Sequence, residues 1–155
     1  MTTAKLNRVL PRLKLPATSD QTIDLKDLRG KHIVLYFYPK DSTPGCTTEG
    51  QDFADNHKKF KRIKTVILGV SRDTVASHEK FRAKYNFPFD LLSDSDEKAC
   101  SIFDVIKEKN MYGRKVMGIE RSTFLIDAAG KLRKEWRKVK VKGHVDDVLA
   151  AAKEL

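Results

Sequence analysis

The chain carries two cysteines, Cys46 and Cys100, and the residues around each decide what a thiol there can do. Cys46 closes the stretch Pro39-Lys40-Asp41-Ser42-Thr43-Pro44-Gly45-Cys46. With Thr43 as a helix cap and Pro44 in the first helical position, the sulfur falls in the first turn of a helix. Unpaired backbone N–H groups and the positive end of the helix dipole favour a thiolate there, and the thiolate is the nucleophilic form of cysteine. The plainer alternative is a small buried residue packed at a helix start. Pro39 and Pro44 bound a short, stiff loop. The Thr43 hydroxyl lies one helical turn before the sulfur, where it can meet an incoming oxygen, serve as an N-cap, or do both. Arg121, in Ile119-Glu120-Arg121-Ser122-Thr123-Phe124, holds a permanent charge and a fixed fork of donors suited to a thiolate and an oxygen-rich substrate together. Its plainer alternative is a surface ion pair with Glu49 or Glu120.

Neither cysteine belongs to a CxxC pair or to a cluster with His at metal-ligand spacing, so neither a structural zinc site nor any other metal is expected. His32, His57, His78 and His144 are scattered and read as surface or hydrogen-bonded residues rather than as a base for Cys46. The formal charge of +10 raises the question of nucleic acid or anionic membrane surfaces. However, the basic residues are interleaved with apolar ones, as on solvated faces, and no helix-turn-helix, zinc finger or aromatic stacking motif accompanies them. Specific nucleic-acid binding is therefore not expected. No apolar run approaches a membrane span and the N-terminus has no signal-peptide pattern, which predicts a soluble, cytoplasmic protein with no membrane partner. A length of 155 residues suits one domain over residues 1–155.

Around Cys46, the order of elements predicts an α/β protein. His32 to Tyr38 is almost wholly apolar, as in a central strand covered on both faces, and Pro39 stops it. A helix from Thr43 places Phe53 and Phe60 on one face. Thr65 to Val70 reads as a second buried strand, Asp73 as the cap of a second helix ending at Asn86-Phe87-Pro88, and Leu91-Leu92 as a short strand. Ser93 or Asp94 opens a third helix bearing Ala99, Ile102, Phe103 and Ile106 at helical spacing, and Asn110 to Gly118 reads as a loop. Ser122 to Ile126, the turn Asp127 to Gly130, and Lys131 to Val139 form a hairpin, and Gly143 to Leu155 an amphipathic helix. The pattern fits a thioredoxin-like fold: a central mixed sheet flanked by helices, with a βα insertion before the final hairpin.

The Pro39-to-Cys46 stretch matches a motif of Pro, three residues, Thr, two residues and Cys. Together with Cys46-Thr47-Thr48-Glu49 and Ile119 to Asp127, it resembles the peroxiredoxin Q, or bacterioferritin comigratory protein, branch of the peroxiredoxins. The likeness runs from about Leu13 to the C-terminus and includes Gly69-Val70-Ser71, Ser77-His78 and Leu91-Leu92-Ser93-Asp94. The resemblance implies a thiol peroxidase in which Cys46 is the peroxidatic cysteine, Thr43 and Arg121 activate the peroxide, and Pro39 shields the sulfur. It implies hydrogen peroxide and organic hydroperoxides as substrates, thioredoxin, glutaredoxin or glutathione as reductant, no cofactor, and a monomer or weak homodimer. Many members of this branch carry a resolving cysteine five residues after the first, where this chain has Gln51, and others carry it in the next helix, near Arg82; neither position is a cysteine here. Cys100, at the edge of its helix's apolar stripe, is the only other internal thiol. The expectation is a one-Cys cycle closed by an external thiol, with an atypical Cys46–Cys100 disulfide as the alternative. The rival functions are a thioredoxin-like disulfide oxidoreductase, which would need a second thiol near Cys46, and a basic non-enzymatic binding module.

Overall fold

Alternation along His32–Phe37 sets the architecture. Ile33, Leu35 and Phe37 face one apolar layer, whereas Val34, Tyr36 and the following Tyr38 face another, so the strand requires cover on both sides. The computed structural model, which describes residues 3–155, provides that cover in a seven-stranded mixed sheet. In chain order the elements are β1 (Lys14–Ala17), β2 (Gln21–Asp24), a 3-10 turn (Leu25–Leu28), β3 (His32–Phe37), α1 (Pro44–Asp55), α2 (His57–Arg62), β4 (Thr65–Ser71) and α3 (Val75–Tyr85). They continue with β5 (Asp90–Ser93), α4 (Lys98–Phe103), β6 (Ile106–Met111), β7 (Arg114–Ile119), β8 (Ser122–Ile126), β9 (Leu132–Trp136) and α5 (His144–Lys153).

The sheet runs β2-β1-β5-β4-β3-β8-β9, with β3, β4 and β5 parallel to one another. β8 and β9 join antiparallel on one side and β1 and β2 on the other. This is the thioredoxin-like arrangement expected from the order of elements. One layer gathers Phe53, Phe60, Phe81 and Val148 from α1, α2, α3 and α5, and the other gathers Ala99, Cys100 and Phe103 from α4.

Several local expectations change. Phe53 and Phe60 are both buried, but the helix breaks at Asn56, whose side-chain amide donates to the Asp52 carbonyl at 2.8 Å, and α2 begins there. Thr74 rather than Asp73 caps α3, its hydroxyl accepting from the Ser77 amide at 3.2 Å. The Asp94 carboxylate does serve α4, accepting from the amides of Ala99 and Cys100 at 3.0 and 2.8 Å. That helix ends at Phe103, because Asp104 turns left-handed, and Ile106 belongs to β6 instead. The expected loop over Asn110 to Gly118 is largely the β6–β7 hairpin, closed by Tyr112 and Gly113, both at positive φ as a tight turn between twisted strands requires. Ahead of His32, where no strand was expected, β1 and β2 extend the sheet, with Ala17 paired to Leu92.

Candidate active site

The parallel strand β3 delivers the chain to one end of the sheet, where ligands collect in open α/β folds. The loop that follows turns back into α1 with Pro44 in its first turn and Thr43 in extended conformation ahead of it. Gly50 lets α1 settle closely, since a Cβ there would stand 2.5 Å from the Phe87 ring. Cys46 therefore lies in the first turn of α1, only 2% exposed.

Arg121, immediately ahead of β8, reaches the same place. Its Nη2 donates to Cys46 Sγ at 3.4 Å and its Nη1 donates to Glu49 Oε1 at 2.6 Å. Glu49 is one helical turn beyond Cys46 on the same face of α1 and fully enclosed, and its Oε2 has no hydrogen-bond partner. The approach of the guanidinium explains Gly45: a Cβ there would lie 3.1 Å from Nη2. The two readings of Arg121 thus hold together, because one planar fork serves both the sulfur and a carboxylate, and that carboxylate is buried rather than on the surface.

Burial pushes the Glu49 carboxyl up to about 7, even though Arg121 beside it pulls the other way. Burial works against the charge of Arg121, but Glu49 and Cys46 outweigh it and hold the guanidinium more firmly protonated than usual. Lys109 on β6, half-buried, donates to the Ile119 carbonyl. Burial first, then the nearby positive charge of Arg121, makes its ammonium easier to deprotonate.

Thr43 makes no side-chain cap; its hydroxyl donates to the Lys40 carbonyl at 2.8 Å, which leaves its oxygen lone pairs free to accept. Pro39 is half-buried just after β3, in the loop that leads to the thiol. Cys100 is completely buried rather than at a helix edge, and it belongs to the layer on the opposite face of the sheet from Cys46. Burial, then the Asp94 carboxylate, pushes its thiol far up, so it rests as an inert thiol. No histidine bonds to Cys46: His78 pairs with Asp41, and His144 shares a 2.8 Å hydrogen bond with Thr123 Oγ1. Sequence reasoning offered Glu49 only as a rival explanation for Arg121. Its spacing from Cys46 was the available signal.

A buried thiol at a helix start, bridged by an arginine to a buried carboxylate on a thioredoxin-like sheet, defines the class of thiol peroxidases rather than disulfide reductases, which carry a neighbouring thiol. The profile of the AhpC/TSA family matches residues 6–135, and the chain belongs to that family. It is 52% identical over 153 residues to peroxiredoxin Bcp of Bacillus subtilis, covering 99% of this chain and 98% of the relative. To peroxiredoxin Bcp of Xanthomonas campestris it is 56% identical over 141 residues, covering 91% and 88%. Among solved structures, a mutant of Xylella fastidiosa PrxQ superposes with a TM-score of 0.93 at 44% identity, covering 99% of this chain and 98% of that one. The Xanthomonas campestris bacterioferritin comigratory protein, studied for alkyl peroxide reduction, gives 0.87 at 55% identity, covering 92% and 90%. The chain is a peroxiredoxin, a thiol-dependent peroxidase. No helix among the described residues is long and apolar enough to cross a membrane.

Proposed function

We propose that Cys46 is the peroxidatic residue and that the protein reduces hydrogen peroxide and organic hydroperoxides in the cytoplasm as a monomer or weak homodimer. The observation that carries this reading is the single guanidinium of Arg121 donating to both Cys46 Sγ and Glu49 Oε1. The thiolate attacks the terminal peroxide oxygen, the O–O bond breaks, and alkoxide leaves to be protonated to alcohol, or hydroxide to water. Cys46 becomes a sulfenic acid. Arg121 offsets the charge that passes from sulfur to the leaving oxygen, and the free lone pairs on Thr43 Oγ1 receive the peroxide O–H. Pro39 keeps bulk water from the sulfur. The alkyl peroxide chemistry studied in the Xanthomonas campestris relative agrees with organic hydroperoxides as substrates.

An external thiol closes the cycle: it displaces water from the sulfenic acid to give a mixed disulfide, and a second thiol releases Cys46. Thioredoxin, glutaredoxin and glutathione each supply that chemistry. Gln51 and Arg82 supply no internal thiol, and Cys100 lies across the sheet. Intact mass after one equivalent of peroxide tests the reading. A gain of one oxygen on Cys46 supports the one-Cys cycle, whereas a Cys46–Cys100 disulfide, with the loss of two hydrogens, overturns it. If peroxide is not consumed while DNA binding falls steeply with salt, the basic binding module replaces the peroxidase reading.

A further inference from the structure

A second polar cluster lies beneath the loop that carries Pro39 and Thr43, outside the reacting groups. Asp41, in the middle of that loop, is 7% exposed and its carboxylate has three side-chain partners within hydrogen-bond distance. Tyr38 donates to Oδ1 at 2.6 Å, Ser77 Oγ to Oδ2 at 2.8 Å, and His78 Nδ1 lies 2.7 Å from Oδ2. Burial raises the Tyr38 hydroxyl well above its ordinary range, so it keeps the proton it donates. The Asp41 amide in turn donates to Asp73 Oδ2 at 2.8 Å, and Ser71 Oγ donates to the same oxygen at 2.6 Å. His78, on α3, is fully enclosed, and its Nε2 lies 2.8 Å from the Leu92 carbonyl.

A carbonyl only accepts, and a carboxylate already taking two hydroxyl donors accepts as well. The Tyr38 hydroxyl also lies 3.4 Å from Nδ1, but it donates to Asp41 Oδ1 at 2.6 Å, so the nearest neighbour of each ring nitrogen of His78 is an acceptor, and N–H groups on both nitrogens satisfy them. The same geometry argues against a cation among Asp41, Asp73 and His78, whose ligand atoms otherwise lie close enough for one. The His78 nitrogen that would bind an ion points an N–H at Asp41.

We propose that His78 is a positioning residue for the peroxidase reaction: as a double donor between Asp41 and Leu92, it pins the Pro39–Thr43 loop to α3 and to the sheet. Ser77 also ties Asp41 to α3, and the Asp41 amide reaches Asp73, but past Asp41 the loop is held lightly. The Thr43 hydroxyl bonds to Lys40 within the loop, its carbonyl takes the Thr47 amide of α1, and Ser42 sits at positive φ. Without the pin, the Thr43 hydroxyl and the first turn of α1 lose their fixed distance to Arg121, which arrives from the start of β8, beside the end of β3. The inference rests on Cys46 being the reacting residue. Failure of that reading is recognised separately, by a Cys46→Ser protein that still consumes peroxide.

Two one-sided replacements test the pin. His78→Asn keeps an amide donor at the place of Nδ1, toward Asp41, and loses Leu92, whereas His78→Gln keeps a donor at the place of Nε2 and loses Asp41. The expected result is that kcat/KM for hydrogen peroxide falls modestly in the Asn variant and on the order of a hundredfold in the Gln variant, since a small displacement of reacting groups carries a penalty of that size. If His78 merely fills space, Gln, the closer match in length and volume, performs as well as Asn or better, and the proposal is overturned. Nitrogen-15 NMR of the unmodified protein provides a readout independent of folding in the variants. Directly bonded protons on both His78 nitrogens support the double donor, and a bare Nδ1 or Nε2 refutes it.

Discussion

Replacing Arg121 by lysine preserves charge but not the fork. The guanidinium spans two acceptors, Glu49 Oε1 at 2.6 Å and Cys46 Sγ at 3.4 Å. An ammonium on a shorter stem meets one of them, and the buried carboxylate, with its harder oxygen, is the stronger competitor. The sulfur therefore loses its donor. A hydrogen bond to a charged group contributes about 1.5–3 kcal/mol, which corresponds to a peroxide rate constant lower by roughly 10- to 150-fold. Arg121→Ala should be slower still. It strands Glu49, 0% exposed, without a cation, and the carboxyl already raised to about 7 moves further up and takes a proton. Stopped-flow fluorescence of Trp136, the sole tryptophan, or competition against a second peroxidase measures the peroxide step directly. An Arg121→Lys enzyme reacting at the parent rate would refute the argument that one fork must serve both groups.

Cys46→Ser should abolish peroxide reduction, with residual consumption measured against a catalase-free blank. Thr43→Val should react slowly while Thr43→Ser keeps its rate, because only the hydroxyl is required; equal rates in single-turnover assays would remove Thr43 from the reaction. Cys100→Ser should leave turnover with an external thiol unchanged and yield the same non-reducing thiol map, since a disulfide needs its Cα atoms within about 7 Å. Acid stability should carry the signature of His144, whose pKa burial lowers from 6.5 to about 4. A depressed histidine means the unfolded chain binds the extra proton first, so stability falls as pH drops through 6.5 and the loss is complete below 4. One such group accounts for about 3 kcal/mol over that window. His144→Gln should flatten that limb in urea titrations at a series of pH values, and an unchanged limb would assign it elsewhere.

Much of the site was legible because its parts are local. Pro39, Thr43, Pro44 and Cys46 fall within one turn and one helix start, where spacing translates directly into geometry. Arg121 was legible as a residue type, but its two partners were not, because its contacts span more than seventy positions of sequence. The buried strands β3, β4 and β8 stood out through continuous apolar runs. The arm forming β1 and β2 did not, since four-residue strands with polar outer faces resemble a loop until a partner edge is present. The β6–β7 hairpin was hidden for the same reason: its residues are charged on both faces, and pairing with each other, not an apolar pattern, makes it a sheet. Cys100 illustrates the limit of periodicity. A short helix lying flat against a sheet buries residues that a longer helix would leave at its margin.

Alternate residues of β3 face two interiors that share no side chains, and this separates two kinds of evolutionary pressure. The interior of Leu35, Phe37, Phe103 and Phe124 lies across the sheet from Cys46. Substitutions there change melting behaviour nearly independently of substitutions around Tyr36 and Phe53, as distant sites with no common partners generally do. A lineage moving to a hotter or colder habitat can thus retune one half of its interior while leaving the half that holds Cys46 untouched.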